Sequence, residues 1–384
     1  MSHTKSQRPV IVGVGEAGIG RQTGPMTEVE LTAAAALNAL DDAGVSMQEV
    51  DGLFTASTTD VLSALSLAEY AGIRPEFIDS TNMGGSSFVT HLERASLAIE
   101  SGKCSTALVA YGSVQYSRSK RLQSPVEPSV YESGTAARMP ISAYALAASR
   151  HMFEFGTTRE DLARVVVASR EWANLTPNAT ETSLVSISDV LNSPMVSTPL
   201  SRMDCCLVTD GAGAVVLVAH ERAKDMKAAP ISILASATGT THMSISQMPD
   251  LTTSAARETG KRVFEETGMT VKDVDVLQLY DAFSINPIIF LEDLGFCNKG
   301  EGGAFIESVG VGPRGGLPVN TNGGGLSYCH PGMYGIFMII EAVRQLRSEC
   351  GGRQVENASV GLVHGNGGRL SAQATALLAN SSVS

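Results

Sequence analysis

His330, Tyr328 and Tyr334 place an imidazole and two phenols in one short stretch, Val319–Phe337, which reads VNTNGGGLSYCHPGMYGIF. A Gly-rich turn at Gly323–Gly325 precedes them, and a helical period over Ile336–Arg347 follows. The three side chains therefore sit at or before a helix N-terminus. Backbone N–H groups and the helix dipole favour developing negative charge there. Enolate or oxyanion chemistry suits such a place. The plainer reading is a glycine turn carrying structural His and Tyr residues. Asn322 and the three glycines read as architecture for the turn.

The totals narrow the classes. At 384 residues the chain is long enough for two domains or one large duplicated unit. Hydrophobic residues make up 43% and charged ones 17%, so a large core is available. A net charge of −11 argues against a nucleic-acid or anionic-membrane surface. No apolar run approaches the roughly 20 residues of a membrane span. MSHTKSQRPVIVGVG lacks the pattern of a signal segment. The six cysteines form no CxxC pair and no zinc-ligand spacing. They are expected as reduced, mostly buried thiols of a cytoplasmic protein, with Cys205 and Cys206 in the core. No metal and no tightly bound organic cofactor is implied.

Strands and helices must position the chemistry. Pro9–Val14 reads as a strand and leads into Gly13, Gly15 and Gly18, a formal GxGxxG. The loop IGRQTGPM follows where a dinucleotide site needs a helix to open at once, so NAD binding is rejected. Thr27 and Glu30 form a capping box for a helix that Gly44 ends. Strands are predicted near Gly52–Ala56, Ile78–Asn82, Ala107–Tyr111 and Asp210–Leu217, and helices over Asp60–Ala71 and Phe88–Ser101. Residues 113–205 break the rhythm as an inserted, structured excursion, with helices near 138–155 and 159–174. After Ala228 the pattern restarts, with a helix over Ser254–Glu266. DDAGVSMQEVDGLF at 41–54 matches EETGMTVKDVDVLQL at 265–279, pairing Gly44 with Gly268 and Asp51 with Asp275. Met83–Tyr111 likewise lies over His330–His364. A repeat of this length means two similar α/β halves, expected to hold mostly parallel sheets with crossover helices. Pseudo-twofold symmetry would bring the Met83 and His330 turns to one site.

With the repeat in place, nearly the whole chain resembles the thiolase superfamily. The resemblance is to the branch of sterol-carrier-protein-type thiolases and bacterial proteins labelled acetyl-CoA acetyltransferase. It rests on MDCCLVTDGAGAVVL (203–217), YDAFSINPIIFLEDLGFC (280–297), NTNGGGLSYCHPGMYGIF with EAVRQLR (320–347), and VHGNGG (363–368). It implies a layered α/β thiolase fold of two pseudo-repeated βαβαβαββ halves, 1–227 and 228–384, with 113–205 as an inserted loop domain. A thiolase carries an acyl-accepting Cys where Met83 stands. The sterol-carrier-type branch has His-Asp-Cys-Phe where this chain has Tyr280-Asp281-Ala282-Phe283. The histidine of the HP turn survives as His330.

A thioether is a poor nucleophile, and Ser86 or Ser87 would need an activating base. A thiol, with pKa near 8.5, is partly ionised at neutrality; an unassisted hydroxyl is not. Covalent acyl transfer is therefore disfavoured, with Cys329 beside His330 as the alternative thiol. Retro-aldol cleavage of a β-hydroxyacyl-CoA breaks the same Cα–Cβ bond without an acyl-enzyme. The chain also resembles thiolase-like steroid side-chain aldolases, which replace thiolase cysteines and histidine with tyrosines. On this resemblance Tyr280 is the first candidate proton carrier, then Tyr334 or Tyr328. Holding a phenolate at pH 7 costs about 4 kcal/mol, which a nearby donor must partly offset. His330 is a candidate for enolate stabilisation or for reprotonating Cα, and His364 and Asn366 for lining the site. Asp281 is expected to hold backbone groups. Met83, Gly84, Ser86, Asn322, Asn366 and Gly367 complete the substrate and oxyanion-site candidates. CoA is expected only as part of the substrate, with 113–205 contributing to its site. A homodimer and a small OB-fold, zinc-ribbon partner are implied by the family. The alternatives are a thiolase, acyltransferase or Claisen-type condensing enzyme, and a non-catalytic acyl-CoA-binding subunit. Sterol side chains, bile acids, branched fatty acids and aromatic propanoids all fit as acyl groups.

Overall fold

The computed structural model describes residues 8–383 apart from 23, 25, 122–129, 131 and 136. The first seven residues and part of the 113–205 excursion lie outside the described residues. The first half runs β1 (Val10–Gly20), α1 (Glu28–Ala43), β2 (Gly52–Thr55), α2 (Ser63–Ala71), β3 (Phe77–Asp79), α3 (Ser87–Glu100) and β4 (Thr106–Ser113). The excursion carries α4 (Gln115–Ser119), α5 (Ile141–Phe155), α6 (Arg159–Asn174), α7 (Ile187–Leu191), β5 (Met195–Ser197) and β6 (Leu200–Ser201), and β7 (Asp210–Val218) returns. Beyond come β8 (Ile231–Thr240), α8 (Ala256–Thr267), β9 (Val276–Leu279), α9 (Ile285–Asp293), α10 (Gly302–Val309), α11 (Gly324–Ser327), α12 (Gly335–Leu346), β10 (Val360–Gly367) and β11 (Ala372–Ala379).

Nine strands form one sheet in the order β3-β2-β4-β7-β1-β8-β11-β10-β9. The expectation of a mostly parallel sheet is corrected. Among the strands of the described residues, only β2 with its neighbours β3 and β4, and β9 with β10, pair in parallel. The pairs β1–β7, β4–β7, β1–β8, β8–β11 and β10–β11 are antiparallel. A parallel pair needs a crossover of a dozen residues or more. The turn from β10 to β11 is too short for one, so the chain must reverse.

β1 extends through the glycines, and no helix opens on them. A Cβ at Gly13 or Gly15 would overlap the α1 backbone at Ala39. These glycines therefore serve close helix–strand packing. Thr27 and Glu30 form the expected capping box, and Gly44 ends α1 with φ 74°. The repeat is visible in detail. Gly268 ends α8 with φ 73°, as Gly44 ends α1. The Asp51 carboxylate accepts from the Ser105 and Thr106 backbone N–H groups, and the Asp275 carboxylate from those of Ser359 and Val360. Helices α3 and α12 pack on each other, and each touches strands of both halves. Their N-termini therefore meet in the interior.

Candidate active site

Tyr280 follows β9 directly. Its N–H donates to the His364 carbonyl, continuing the parallel ladder for one more residue (3.0 Å). The Asn286 side chain, from the next helix, holds the Tyr280 carbonyl (3.3 Å). The ring then projects into the gap between the starts of α3 and α12. A Cβ at Gly85 would overlap that ring, and a Cβ at Gly335 would overlap the Gly85 carbonyl. Glycine at both helix starts is what lets the phenol fit.

The Tyr280 hydroxyl lies 3.1 Å from His330 Nε2. It also accepts from the Tyr334 N–H, at the start of α12 (3.1 Å). The two rings meet edge to face at 90°. The His330 backbone is pinned by the Thr209 hydroxyl (3.0 Å), and the Tyr111 hydroxyl holds the turn through the Pro331 carbonyl and the Met333 N–H. Burial pushes the Tyr280 phenol well above its ordinary range, while the Tyr334 N–H pulls it back. Burial depresses His330 to about 4. At neutral pH the imidazole is thus uncharged and the phenol protonated; with the Tyr334 N–H donating to the phenol oxygen, His330 Nε2 is the acceptor within reach of the Tyr280 proton. Such a pair can take a proton at the phenol oxygen while passing the phenol's own proton to the imidazole.

A cavity of about 710 Å³ opens on this pair. Met83, Gly84, Tyr280, His330 and Asn366 all line it. The Met83 and His330 turns therefore do share one site. The other candidates make these contacts. Tyr334 contributes its backbone, because its hydroxyl is buried on Asn322 Oδ1 (2.8 Å) and its ring does not reach the cavity. Tyr328 donates to Glu16 (2.9 Å), whose carboxylate also pairs with Arg344. His364 is fully buried beside the cavity, held by Thr375 and Gln373. Ser86 turns back to the Met83 carbonyl (2.9 Å). Asn322 caps the Gly324 N–H (2.9 Å), as a turn residue does. Gly367 does not line the cavity either, but a Cβ there would overlap the Met83 carbonyl, so it sets how closely the two turns approach. Asp281 accepts from the Gly325 and Leu326 N–H groups (2.6 and 3.2 Å), as a backbone clasp.

Other lining residues escaped the sequence reading. Cys206, expected in the core, lines the cavity. Its N–H donates to the Ala282 carbonyl (2.8 Å), and the Leu207 N–H to Gly325 (2.9 Å), so the segment laces YDAF to the glycine turn. Desolvation pushes its thiol well above the ordinary range. The MDCC motif beside TDGAG was the available signal. Tyr144 comes from α5 and stacks near Phe283, with ring centroids 4.4 Å apart. An aromatic at helical spacing reads as core, so nothing in the sequence marked its hydroxyl. Cys329 is fully buried and outside the cavity lining. Among the described residues no cluster of three His, Cys, Asp or Glu could hold a metal, and no helix is long and apolar enough to cross a membrane.

Residues 237–380 match the family model described as thiolase C-terminal domain-like. The chain is 33% identical over 376 residues to an acetyl-CoA acetyltransferase of Methanothermobacter thermautotrophicus, covering 93% of this chain and 96% of that protein. It is 34% identical over 367 residues to the 17-hydroxy-3-oxo-4-pregnene-20-carboxyl-CoA lyase of Mycobacterium tuberculosis, covering 89% and 92%. Among solved structures, the Ltp2-ChsH2(DUF35) aldolase aligns with a TM-score of 0.88 at 28% identity, over 97% of this chain and 98% of that one. The fold and these relatives define a thiolase-like enzyme. The chain belongs to the thiolase superfamily.

Proposed function

We propose that this enzyme cleaves a carbon–carbon bond in a β-hydroxyacyl-CoA by retro-aldol chemistry. The products are a ketone or aldehyde and a shortened acyl-CoA. The observation that carries the reading is the Tyr280 hydroxyl set between His330 Nε2 and the Tyr334 N–H. Met83 lines the same cavity, in the place of a thiolase's acyl-accepting thiol. Tyr280 takes the β-hydroxyl proton as its own proton passes to His330. The O–H electrons left on oxygen close the new carbonyl, the Cα–Cβ bond breaks, and its electrons form the thioester enolate. Cα then takes a proton from Tyr280, which His330 replenishes. The net transfer is one proton from the hydroxyl to Cα. Charging an imidazole of pKa about 4 at pH 7 costs about 4 kcal/mol. That fits within the roughly 16 kcal/mol barrier of an enzyme turning over at about 10 s⁻¹.

The acyl group we favour is a steroid or other branched side chain, supported by the name of the mycobacterial lyase. CoA enters only as part of the substrate, with no tightly bound cofactor. A homodimer working with a small OB-fold, zinc-ribbon partner in the cytoplasm completes the proposal. The two-component name of the Ltp2-ChsH2(DUF35) aldolase supports a partner protein. The halves 1–227 and 228–384, with 113–205 inserted, are the proposed domain division.

One observation favours a second reading, thiolase or acyltransferase chemistry: Cys206 puts a thiol in the cavity. Its desolvated, protonated state weakens it as a nucleophile. Tyr280→Phe separates the two. The aldolase reading expects turnover to fall by at least about 10²-fold with the fold intact. Unchanged kinetics would remove Tyr280 from the mechanism.

A further inference from the structure

His364, Asn366, Gln373 and Thr375 occupy one polar face of the hairpin between β10 and β11. In its register His364 lies opposite Thr375 and Asn366 opposite Gln373. The period-two alternation of strands puts all four side chains on the same face. Each is almost fully buried. Their hydrogen bonds form one line. Thr375 Oγ1 meets His364 Nδ1 at 2.8 Å, and His364 Nε2 meets Gln373 Oε1 at 3.0 Å. Gln373 Nε2 donates to Asn366 Oδ1 at 2.9 Å, and Asn366 Nδ2 to the Tyr144 hydroxyl at 2.8 Å. Tyr144 in turn donates to the Gly368 carbonyl at 3.2 Å.

The far end sets the direction of the whole line. A carbonyl oxygen only accepts, so Tyr144 spends its proton on Gly368 and must accept from Asn366. The Asn366 NH₂ therefore faces Tyr144, and its Oδ1 faces Gln373. The Gln373 NH₂ must then face Asn366, and its Oε1 must face a protonated His364 Nε2. His364 Nδ1 is left to accept the Thr375 hydroxyl proton, and Thr375 then accepts from the Thr259 hydroxyl (2.7 Å). Burial depresses His364 to about 3, which keeps the ring neutral and compatible with that single tautomer. Turning the Asn366 amide over would oppose donor to donor at Gln373. Donors aligned head to tail also polarise one another.

A primary amide carries two N–H bonds. One of Asn366's goes to Tyr144. Asn366 is 2% exposed and lines the cavity that holds Tyr280 and His330. We propose that the Thr375–His364–Gln373 line fixes the Asn366 amide so that its second N–H donates to the thioester oxygen of a bound acyl-CoA. His364, Gln373 and Thr375 are then positioning residues, and Asn366 touches the substrate. The inference rests on the proposed function only in requiring that a CoA thioester occupies this cavity.

The test reads the thioester carbonyl directly. Propionyl-CoA labelled with ¹³C at the carbonyl is bound to the purified protein, and the carbonyl stretch is recorded by difference infrared spectroscopy. The expected result is a band below its position in water for the wild type. Gln373→Met, His364→Leu and Asn366→Ala should return it toward the water value with circular dichroism unchanged. His364→Gln should keep the shift, because an amide nitrogen sits near the place of the histidine Nε2. With a turned-over substrate, Gln373→Met should lower kcat by about 10- to 100-fold and leave KM within about threefold. An unshifted wild-type band overturns the inference even if retro-aldol turnover is present. So does a shift that survives Gln373→Met. A shifted band that behaves as expected, in a protein that shows no retro-aldol activity, supports the inference and removes the aldolase reading instead.

Discussion

Tyr280 and His330 are each shifted away from the form a simple acid or base would need. Burial holds the phenol protonated and the imidazole neutral. Neither works alone as a standing base, but the 3.1 Å contact lets the two share one proton transfer. The pH dependence follows from His330. Its neutral form is the acceptor, so activity is lost as pH falls through the folded pKa, about 4. The kcat/KM contribution of this group should stay flat from pH 8 to about 5. A half-point near 6.5 would mean that His330 is solvated and not coupled to Tyr280. At this scale motif and departure from motif singled out His330 and Tyr280, which the fold brings into contact at one cavity. Sequence reasoning did not foresee the partners of the Tyr328 and Tyr334 hydroxyls, because spacing near a helix start does not say where a hydroxyl ends. Tyr328 finds Glu16, more than three hundred residues away in the chain.

The element that positions the chemistry is the pair of helix starts. Helix α12 aims the Tyr334 N–H at the phenol oxygen, and α3 makes room with Gly85. Gly85→Ala should push the Tyr280 ring off His330. A fall in kcat of more than about tenfold is expected, with a stability loss of about 1–3 kcal/mol from overpacking, read by denaturant titration. Wild-type kinetics in that variant would show that the helix-start contact does not hold Tyr280. Most elements were legible, because capping boxes and left-handed glycines mark helix ends locally. Strands β8 and β11 were not. Their small residues, ISILASATGT and AQATALLA, dilute the apolar pattern that betrays β2 or β4. Sheet direction was misread for a related reason. Alternating strands and helices suggest crossovers, and the short β10–β11 return is visible only once β11 is recognised.

Across the whole molecule, burial of titratable groups gives folding a pH signature. His91, His330 and His364 are buried, with folded pKa values of about 4, 4 and 3 against an ordinary 6.5. Below pH 6.5 the unfolded chain binds more protons at these sites, so each histidine removes stability as pH falls from 6.5 toward 4. The loss is of the order of 3 kcal/mol per site at most. Asp281 works in the opposite sense. Its folded pKa is raised to about 7 by burial, against an ordinary 3.8. Its penalty is present above pH 7 and fades as pH falls toward 4. His91→Gln should therefore flatten the fall in thermal stability between pH 6.5 and 4, and an unchanged slope would contradict a buried, neutral His91.

The duplicated halves make one cavity from two turns that lie 247 positions apart, Met83 and His330. The proposed function makes Tyr280 and His330 a proton relay in that cavity. The measurement that tests this most directly is chromatography of CoA esters after incubation, with and without any protein that co-purifies. A β-hydroxy-β-branched acyl-CoA is supplied without free CoA, and a β-ketoacyl-CoA is supplied separately with free CoA. The account expects a shortened acyl-CoA and a carbonyl product from the first mixture. Thiolysis in the second mixture alone, with an acyl adduct on Cys206 by mass spectrometry, would contradict it.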